Sequence, residues 1–183
     1  MTIIVEQRQE FTFPGGTMVC KLDDSRHHKR RAANWQFRVP VKVAGAATKT
    51  WEGPIGQAAV DFVTWTPTST ELQLVEVKDY RLATKGLPSE LPDIVARKVR
   101  DSLATLAIAC GDATSDVHPV AQNLSQATKT TAILDIRLPP GTPTPSSVLA
   151  DIQMKLKATM KNALRTLVAG PGAPVNWTKR DLP

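Results

Sequence analysis

Apolar and polar residues alternate over much of the N-terminal half of the chain, which is the pattern of β-strands with one buried face. Short runs of this kind between residues 2 and 22 predict two strands, a turn at Pro14-Gly15-Gly16 and a return strand at Met18-Val19-Cys20. Asp23-Asp24-Ser25 can cap a short helix through Trp35. Gln36–Val43 reads as another strand, and Pro40 places it at an edge or a bulge.

The middle of the chain predicts a β-hairpin. Ala59–Trp65 and Glu71–Lys78 are rich in Val, Leu, Phe and Trp, and residues 66–70 between them have the composition of a turn. Downstream, apolar residues recur at helical spacing from about Leu91 to Cys110. The remaining predictions are a weaker helix over residues 117–127, a strand over Thr130–Leu138 and a long C-terminal helix from about residue 146 to 168.

This order of strands, helix, strand and helix predicts an α/β fold with a mixed central β-sheet flanked by helices. A chain of 183 residues fits one domain spanning residues 1–183. The absence of a long apolar run and of a signal-peptide pattern at Met1–Glu6 favours a cytoplasmic protein without membrane association. Cys20 and Cys110 lack the spacing of a disulfide scaffold or a zinc site, so free thiols are expected.

The formal net charge of +6 is mildly favourable to a polyanionic partner. The densest basic cluster contains His28, Lys29, Arg30 and Arg31, and Arg81 and Lys85 follow the predicted hairpin. These residues are candidates for contacts with nucleic-acid phosphates, since Lys and Arg supply most nonspecific affinity. An ordinary solvated surface explains both groups equally well.

The strand Leu72–Lys78 carries the most unusual pattern in the chain. Because side chains alternate across a strand, Leu72, Leu74, Glu76 and Lys78 share one face. A carboxylate and an ammonium group therefore follow two leucines onto a buried or half-buried surface. Burying a charge costs several kcal/mol unless the charge is paired or bound to a metal.

The hairpin adds a second carboxylate to this face. An ordinary register places Asp61 opposite Glu76, with Cβ atoms about 5 Å apart. Two carboxylates at that distance repel unless one is protonated or a cation lies between them. A hard divalent cation such as Mg²⁺ or Mn²⁺ resolves this repulsion.

With Asp61 on one strand, Glu76-Val77-Lys78 on the next, then a helix and the strand Thr130–Leu138, the chain resembles the PD-(D/E)xK nuclease superfamily. The resemblance covers about residues 36–138 and implies a restriction-endonuclease-like core. It implies that Asp61, Glu76 and the Val77 carbonyl hold the metal, and that Lys78 positions the attacking water. Val60 stands in place of the family's proline.

The resemblance also implies a substrate and an assembly. Many members carry a further Glu before the first core strand, for which Glu52 is the nearest upstream acid and Glu10 a weaker candidate. DNA is favoured over RNA, and a homodimer or a subunit of a larger complex is expected, because cutting both strands needs two sites. The expected activity is that of a Mg-dependent nuclease, a phosphodiester hydrolase.

Other interpretations remain open at the level of sequence. Glu76 and Lys78 can form a surface salt bridge beside an exposed Asp61, which would contribute little. The chain can also be a non-catalytic nucleic-acid-binding subunit with a basic surface, or a structural assembly subunit. No P-loop, GxGxxG or GxSxG motif supports nucleotide hydrolysis, dinucleotide redox chemistry or serine hydrolysis.

Overall fold

The computed structural model describes residues 1–26, 28–29, 39–41, 49–51, 58–84, 86–161, 164–171, 173 and 175–182. Its helices are α1 (Leu91–Ala109), α2 (His118–Ala121) and α3 (Pro145–Thr159). Its strands are β1 (Thr2–Glu6), β2 (Gln9–Phe13), β3 (Met18–Lys21), β4 (Val39–Val41), β5 (Lys49–Trp51), β6 (Phe62–Thr66), β7 (Glu71–Asp79), β8 (Lys129–Arg137), β9 (Arg165–Ala169) and β10 (Thr178–Asp181). Within the described ranges, no helix is long and apolar enough to cross a membrane.

A mixed sheet forms the centre of the fold. In the part of the chain that the structure describes, its strand order is β3-β6-β7-β8-β9. The β3–β6 and β6–β7 pairs are antiparallel, whereas β7–β8 and β8–β9 are parallel. Parallel neighbours need a crossover connection, which α1 and α3 provide. The α/β class with a mixed central sheet is therefore confirmed.

The two faces of this central sheet are covered differently. On one face, Leu72 and Leu74 of β7 and Val63 of β6 pack against α1. On the other face, Phe62 packs against aromatic residues, with ring centroids 5.3–6.1 Å away. Those aromatics, Phe11, Phe13 and Trp177, come from a smaller sheet of order β1-β2-β10 and the segment before β10. Each face of the hairpin thus has its own hydrophobic core.

The predicted hairpin is confirmed. β6 and β7 are joined by a short 3-10 turn, Pro67–Ser69, and by Thr70, which has a positive φ of 45°. Phe62 pairs with Val75 and Thr66 with Glu71. The strand at Thr130–Leu138 and the helix at Leu91–Cys110 also match β8 and α1 to within a residue.

The prediction of one long C-terminal helix over residues 146–168 is correct only as far as Thr159. α3 ends at Thr159, Lys161 takes a positive φ of 51°, and Arg165–Ala169 forms β9 beside β8. The side chain of Gln153 in α3 bonds to the β9 backbone, accepting from Val168 N at 2.6 Å and donating to Thr166 O at 2.9 Å. The parallel pairing with β8 and these hydrogen bonds outweigh the local helical periodicity.

The extent of the predicted core, residues 36–138, also needs correction. The central sheet takes in β3 and β9, both outside that range. Of the predicted strand Gln36–Val43, the described Val39–Val41 pairs with β5 in a separate sheet, and the rest lies outside the described residues. Ser25 caps the predicted N-terminal helix, since its Oγ accepts from His28 N at 3.1 Å. The rest of that helix, from residue 30 on, falls outside the described residues.

Candidate active site

Asp61 and Glu76 meet at the end of the hairpin that is distant from its turn. The β6–β7 ladder pairs Phe62 with Val75, and one further step places Asp61 opposite Glu76. Both carboxylates are buried, with exposed fractions of 4% and 0%. The surface salt bridge beside an exposed Asp61 is therefore excluded, and the two acidic side chains belong to the face that α1 covers.

The carboxylate of Asp61 is tied to the neighbouring strand. Its Oδ2 accepts a hydrogen bond from the Val77 backbone N–H at 2.6 Å. Burial, and then the nearby charge of Glu76, raises the pKa of Asp61 to about 7, against the lowering effects of the Val77 N–H and of Lys98 and Lys78. Asp61 is thus held in place at a position where its negative charge is unfavourable.

Glu76 is neutralised from two directions. Lys78, two residues along the same strand, places its Nζ 2.5 Å from Oε1. Lys98 of α1 donates to both carboxylate oxygens, at 2.8 Å from Oε1 and 3.0 Å from Oε2. Burial alone would lower the pKa of Lys78, but the charge and hydrogen bond of Glu76 outweigh it and raise that pKa. The site therefore combines two buried carboxylates with two partly exposed ammonium groups.

Lys98 is a residue that the sequence pattern failed to assign. It stands between Arg97 and Arg100 in a basic stretch of α1, and the sequence alone does not identify its contact with Glu76. Its side chain is 22% exposed and reaches across to β7. The sequence held one weak indication of this contact. A buried acid on a strand needs a cationic partner, and the helix that follows the strand can supply a lysine or arginine.

Helix α1 also holds the segment that leads into Asp61. Ser102 Oγ accepts from Val60 N at 3.0 Å, and Asp101 Oδ2 accepts from Ala58 N at 3.1 Å. On the other side, Leu22 N donates to the Asp61 carbonyl at 3.1 Å. Because residues 58–60 precede the strand and lack its ladder, these bonds fix the direction from which Asp61 enters the site.

The donor set fits a hard divalent cation in its chemistry. Mg²⁺ is held in proteins by one or two carboxylates, with waters and substrate phosphate completing the shell. Asp61 and Glu76 supply such carboxylates, and the pKa of Asp61 is raised first by burial and then by the charge of Glu76, both of which a bound cation would offset. Among the described residues, no group of three His, Cys, Asp or Glu side chains gathers at one point. A chelating cage is therefore absent from that part of the chain.

The remaining acidic candidates do not extend this pair. Glu52 lies outside the described residues. Glu10 is on β2 and pairs with Arg180 at 3.0 Å. Its neighbours Gln9 and Phe11 face the aromatic core on the opposite side of the central sheet from Glu76, and Glu10 points away from that core. The prediction that Glu10 is a candidate for a further metal ligand is therefore wrong.

The predicted basic residues do not form one exposed cluster in the described chain. His28 is buried, with 7% of its surface exposed, which corrects its assignment as a phosphate contact. Lys29 is exposed and pairs with Asp24 at 3.0 Å. Arg81 is held by Asp79 at 2.7 Å and by Asp181 at 3.2 Å. Arg30, Arg31 and Lys85 lie outside the described residues.

Comparison with known proteins gives little guidance. No family model matches this chain, and no solved structure matches it. A cysteine–tRNA ligase from Neisseria meningitidis serogroup A / serotype 4A (strain DSM 15465 / Z2491) is 32% identical over 118 residues. The match covers 58% of this chain and 17% of the ligase, so the chain spans a small part of that enzyme's length. The similarity is too partial to transfer the ligase's activity.

Proposed function

We propose that this protein is a metal-dependent nuclease that hydrolyses phosphodiester bonds in DNA. The observation that carries the proposal is the buried pair Asp61 and Glu76, facing each other across the hairpin with Lys78 beside them. Burying two adjacent carboxylates is unfavourable unless cations compensate their charge. The same three residues carry the resemblance to the PD-(D/E)xK nucleases.

Each side chain has a defined part in this proposal. Asp61 and Glu76 hold Mg²⁺ or Mn²⁺ through carboxylate oxygens, and the Val77 carbonyl is a further ligand by resemblance. A bound cation of this kind polarises the scissile phosphate and lowers the pKa of a coordinated water. Lys78, 21% exposed, presents an ammonium group that stabilises the charge developing on the phosphate and orients the attacking water.

The direct test is DNA cleavage by purified protein. Supercoiled plasmid and single-stranded DNA are incubated with Mg²⁺, Mn²⁺ or EDTA, using wild type, Glu76→Gln and Lys78→Ala. We expect metal-dependent cutting that falls by at least about 100-fold in both variants, with DNA affinity changed much less. Lys129→Ala is the matched control, because this lysine also pairs with a glutamate of β7, Glu71, but at the opposite end of the strand.

A second function is supported by one specific observation. Lys78 and Lys98 already balance the negative charge of Glu76, so Glu76 does not need a metal ion for this purpose. Such a site suits a non-catalytic nucleic-acid-binding or assembly subunit that keeps the nuclease-like core. Binding of DNA without cutting at any metal concentration favours this alternative, and a large, ordered oligomer by size-exclusion with mass measurement favours an assembly role.

A further inference from the structure

The contacts of Glu76 leave little of its carboxylate for anything else. An ionised carboxylate offers about four acceptor positions on its two oxygens. Within the described chain, Lys78 uses one position on Oε1, and Lys98 uses one on each oxygen. About three positions are therefore taken by ammonium groups. A cation that uses Glu76 as a ligand has to compete with them.

Of the two lysines, Lys98 is the one that can give way. Lys78 is on the same strand as Glu76, two residues away, so its position follows from the sheet. Both side chains have a flexible four-carbon stem and nearly equal exposure, 21% for Lys78 and 22% for Lys98, but Lys98 reaches Glu76 from a different element, α1. Its ammonium group can turn toward the solvent without any change in the backbone, and a phosphate approaching the site from the solvent would attract it.

We propose that Lys98 is a competitor for the cation on Glu76 and thereby couples cation binding to nucleic-acid binding. This inference rests on the proposed function and concerns the regulation of the same site. With Asp61 and Glu76 ionised, Lys78 and Lys98 balance their charge, so a divalent cation binds weakly. A phosphodiester group adds a negative charge and attracts Lys98 away from Glu76, which strengthens cation binding. By linkage, the cation strengthens nucleic-acid binding by the same factor.

The coupling can be measured without any cleavage. Mn²⁺ affinity is determined by isothermal titration calorimetry at pH 8, with and without a short phosphorothioate duplex that resists hydrolysis. Wild type is expected to bind Mn²⁺ about tenfold more tightly when the duplex is present, because one unit of charge changes beside the cation. In Lys98→Gln, affinity without duplex is expected to rise about tenfold, and the duplex effect is expected to fall below about threefold.

Arg97→Gln is the matched control. It removes one positive charge from the neighbouring position of α1, where the side chain is exposed. It should leave both Mn²⁺ affinities as in wild type. Lys98→Arg keeps the positive charge and should retain most of the coupling. An effect of Arg97→Gln equal to that of Lys98→Gln would mean that general charge, and not the contact with Glu76, determines cation affinity, which overturns the inference.

Failure of this inference is distinguishable from failure of the proposed function. In the presence of duplex, Mn²⁺ affinity is compared between wild type and Asp61→Asn. If wild type does not bind Mn²⁺, or if Asp61→Asn binds it equally well, both the proposed function and this inference are wrong. Mn²⁺ binding and DNA cutting by wild type, with no change in Mn²⁺ affinity on adding duplex, overturns the coupling alone. The wild-type comparison needs no substitution, so it can overturn the coupling even when Lys98→Gln does not fold.

Discussion

Replacing Asp61 by Asn should make the protein more stable at neutral and alkaline pH. Asp61 is 4% exposed and lies beside Glu76, and its pKa is raised from 3.8 to about 7 by burial and by that neighbouring charge. In the unfolded chain both causes are lost. Ionised Asp61 therefore opposes folding, and a neutral amide of the same shape removes that opposition while its oxygen can still accept from the Val77 N–H.

The sign and size of this stability change follow from the pKa values of the Asp61 carboxyl group in the folded and the unfolded chain. Below its unfolded pKa the group is protonated in both states and contributes nothing. As pH rises from about 4 to about 7 the unfolded chain ionises and the folded protein does not, so stability falls. A shift of about three units corresponds to roughly 4 kcal/mol at most. Between pH 5 and pH 8, the advantage of Asp61→Asn should grow by roughly 2 to 3 kcal/mol.

Urea unfolding at a series of pH values from 5 to 8 measures this effect through the difference in unfolding free energy between variant and wild type. Asp151→Asn is the matched control, because Asp151 is exposed on α3 and pairs with Lys155 at the surface. That control should change stability by at most about 1 kcal/mol, with little dependence on pH. Added Mg²⁺ should stabilise wild type at pH 8 and leave Asp61→Asn unaffected.

A variant-minus-wild-type difference that stays constant from pH 5 to pH 8 would refute the reasoning. It would mean that Asp61 ionises in the folded protein as it does in the unfolded chain. Neither burial nor Glu76 would then destabilise its charge, and the case for a cation between the two carboxylates would lose its electrostatic basis. A difference that shrinks as pH rises would have the wrong sign and would refute it as well.

Further predictions concern the framework around the site, each measured by urea or thermal unfolding. Ser102→Ala should destabilise the protein by about 1–3 kcal/mol, because the buried Val60 N–H loses its acceptor. Lys179→Met should cost about 3–5 kcal/mol by leaving Asp135 buried without its partner at 2.8 Å, and adding Asp135→Asn should recover much of that loss. Phe62→Ala should cost about 3–5 kcal/mol, because this fully buried ring is the centre of the aromatic core. A change smaller than 1 kcal/mol in any of these would contradict the contact concerned.

The central hairpin and its acidic pair are the part that sequence reasoning predicts well. Alternation along Leu72–Lys78 fixes which side chains share a face, and the short connection at Pro67–Ser69 limits the register. Both are local properties, since neighbouring residues and turn length control them. The proximity of Asp61 to Glu76 follows from them, and in the structure both residues come directly after the last ladder pair, Phe62 and Val75.

The C-terminal region shows the limit of such reasoning. Leu156, Met160 and Leu167 fit one helical stripe, but the chain leaves the helix after Thr159 and returns as a strand. The spacing of apolar residues within this segment cannot reveal that Arg165–Ala169 pairs with the edge of β8. Pairing with a strand about 35 residues earlier is a tertiary interaction, and it outweighs local preference.

By itself, the sequence determined the α/β class, the hairpin and the placement of Glu76 and Lys78 on one face of β7, because these depend on periodicities of two and 3.6 residues. Only the tertiary structure decided that Lys98 contacts Glu76, that His28 is buried and that α1 holds the segment before Asp61. Those contacts depend on how a helix is rotated and placed against a sheet. The packing of the whole core determines the position of the helix, and the pattern of apolar residues within one segment does not predict it.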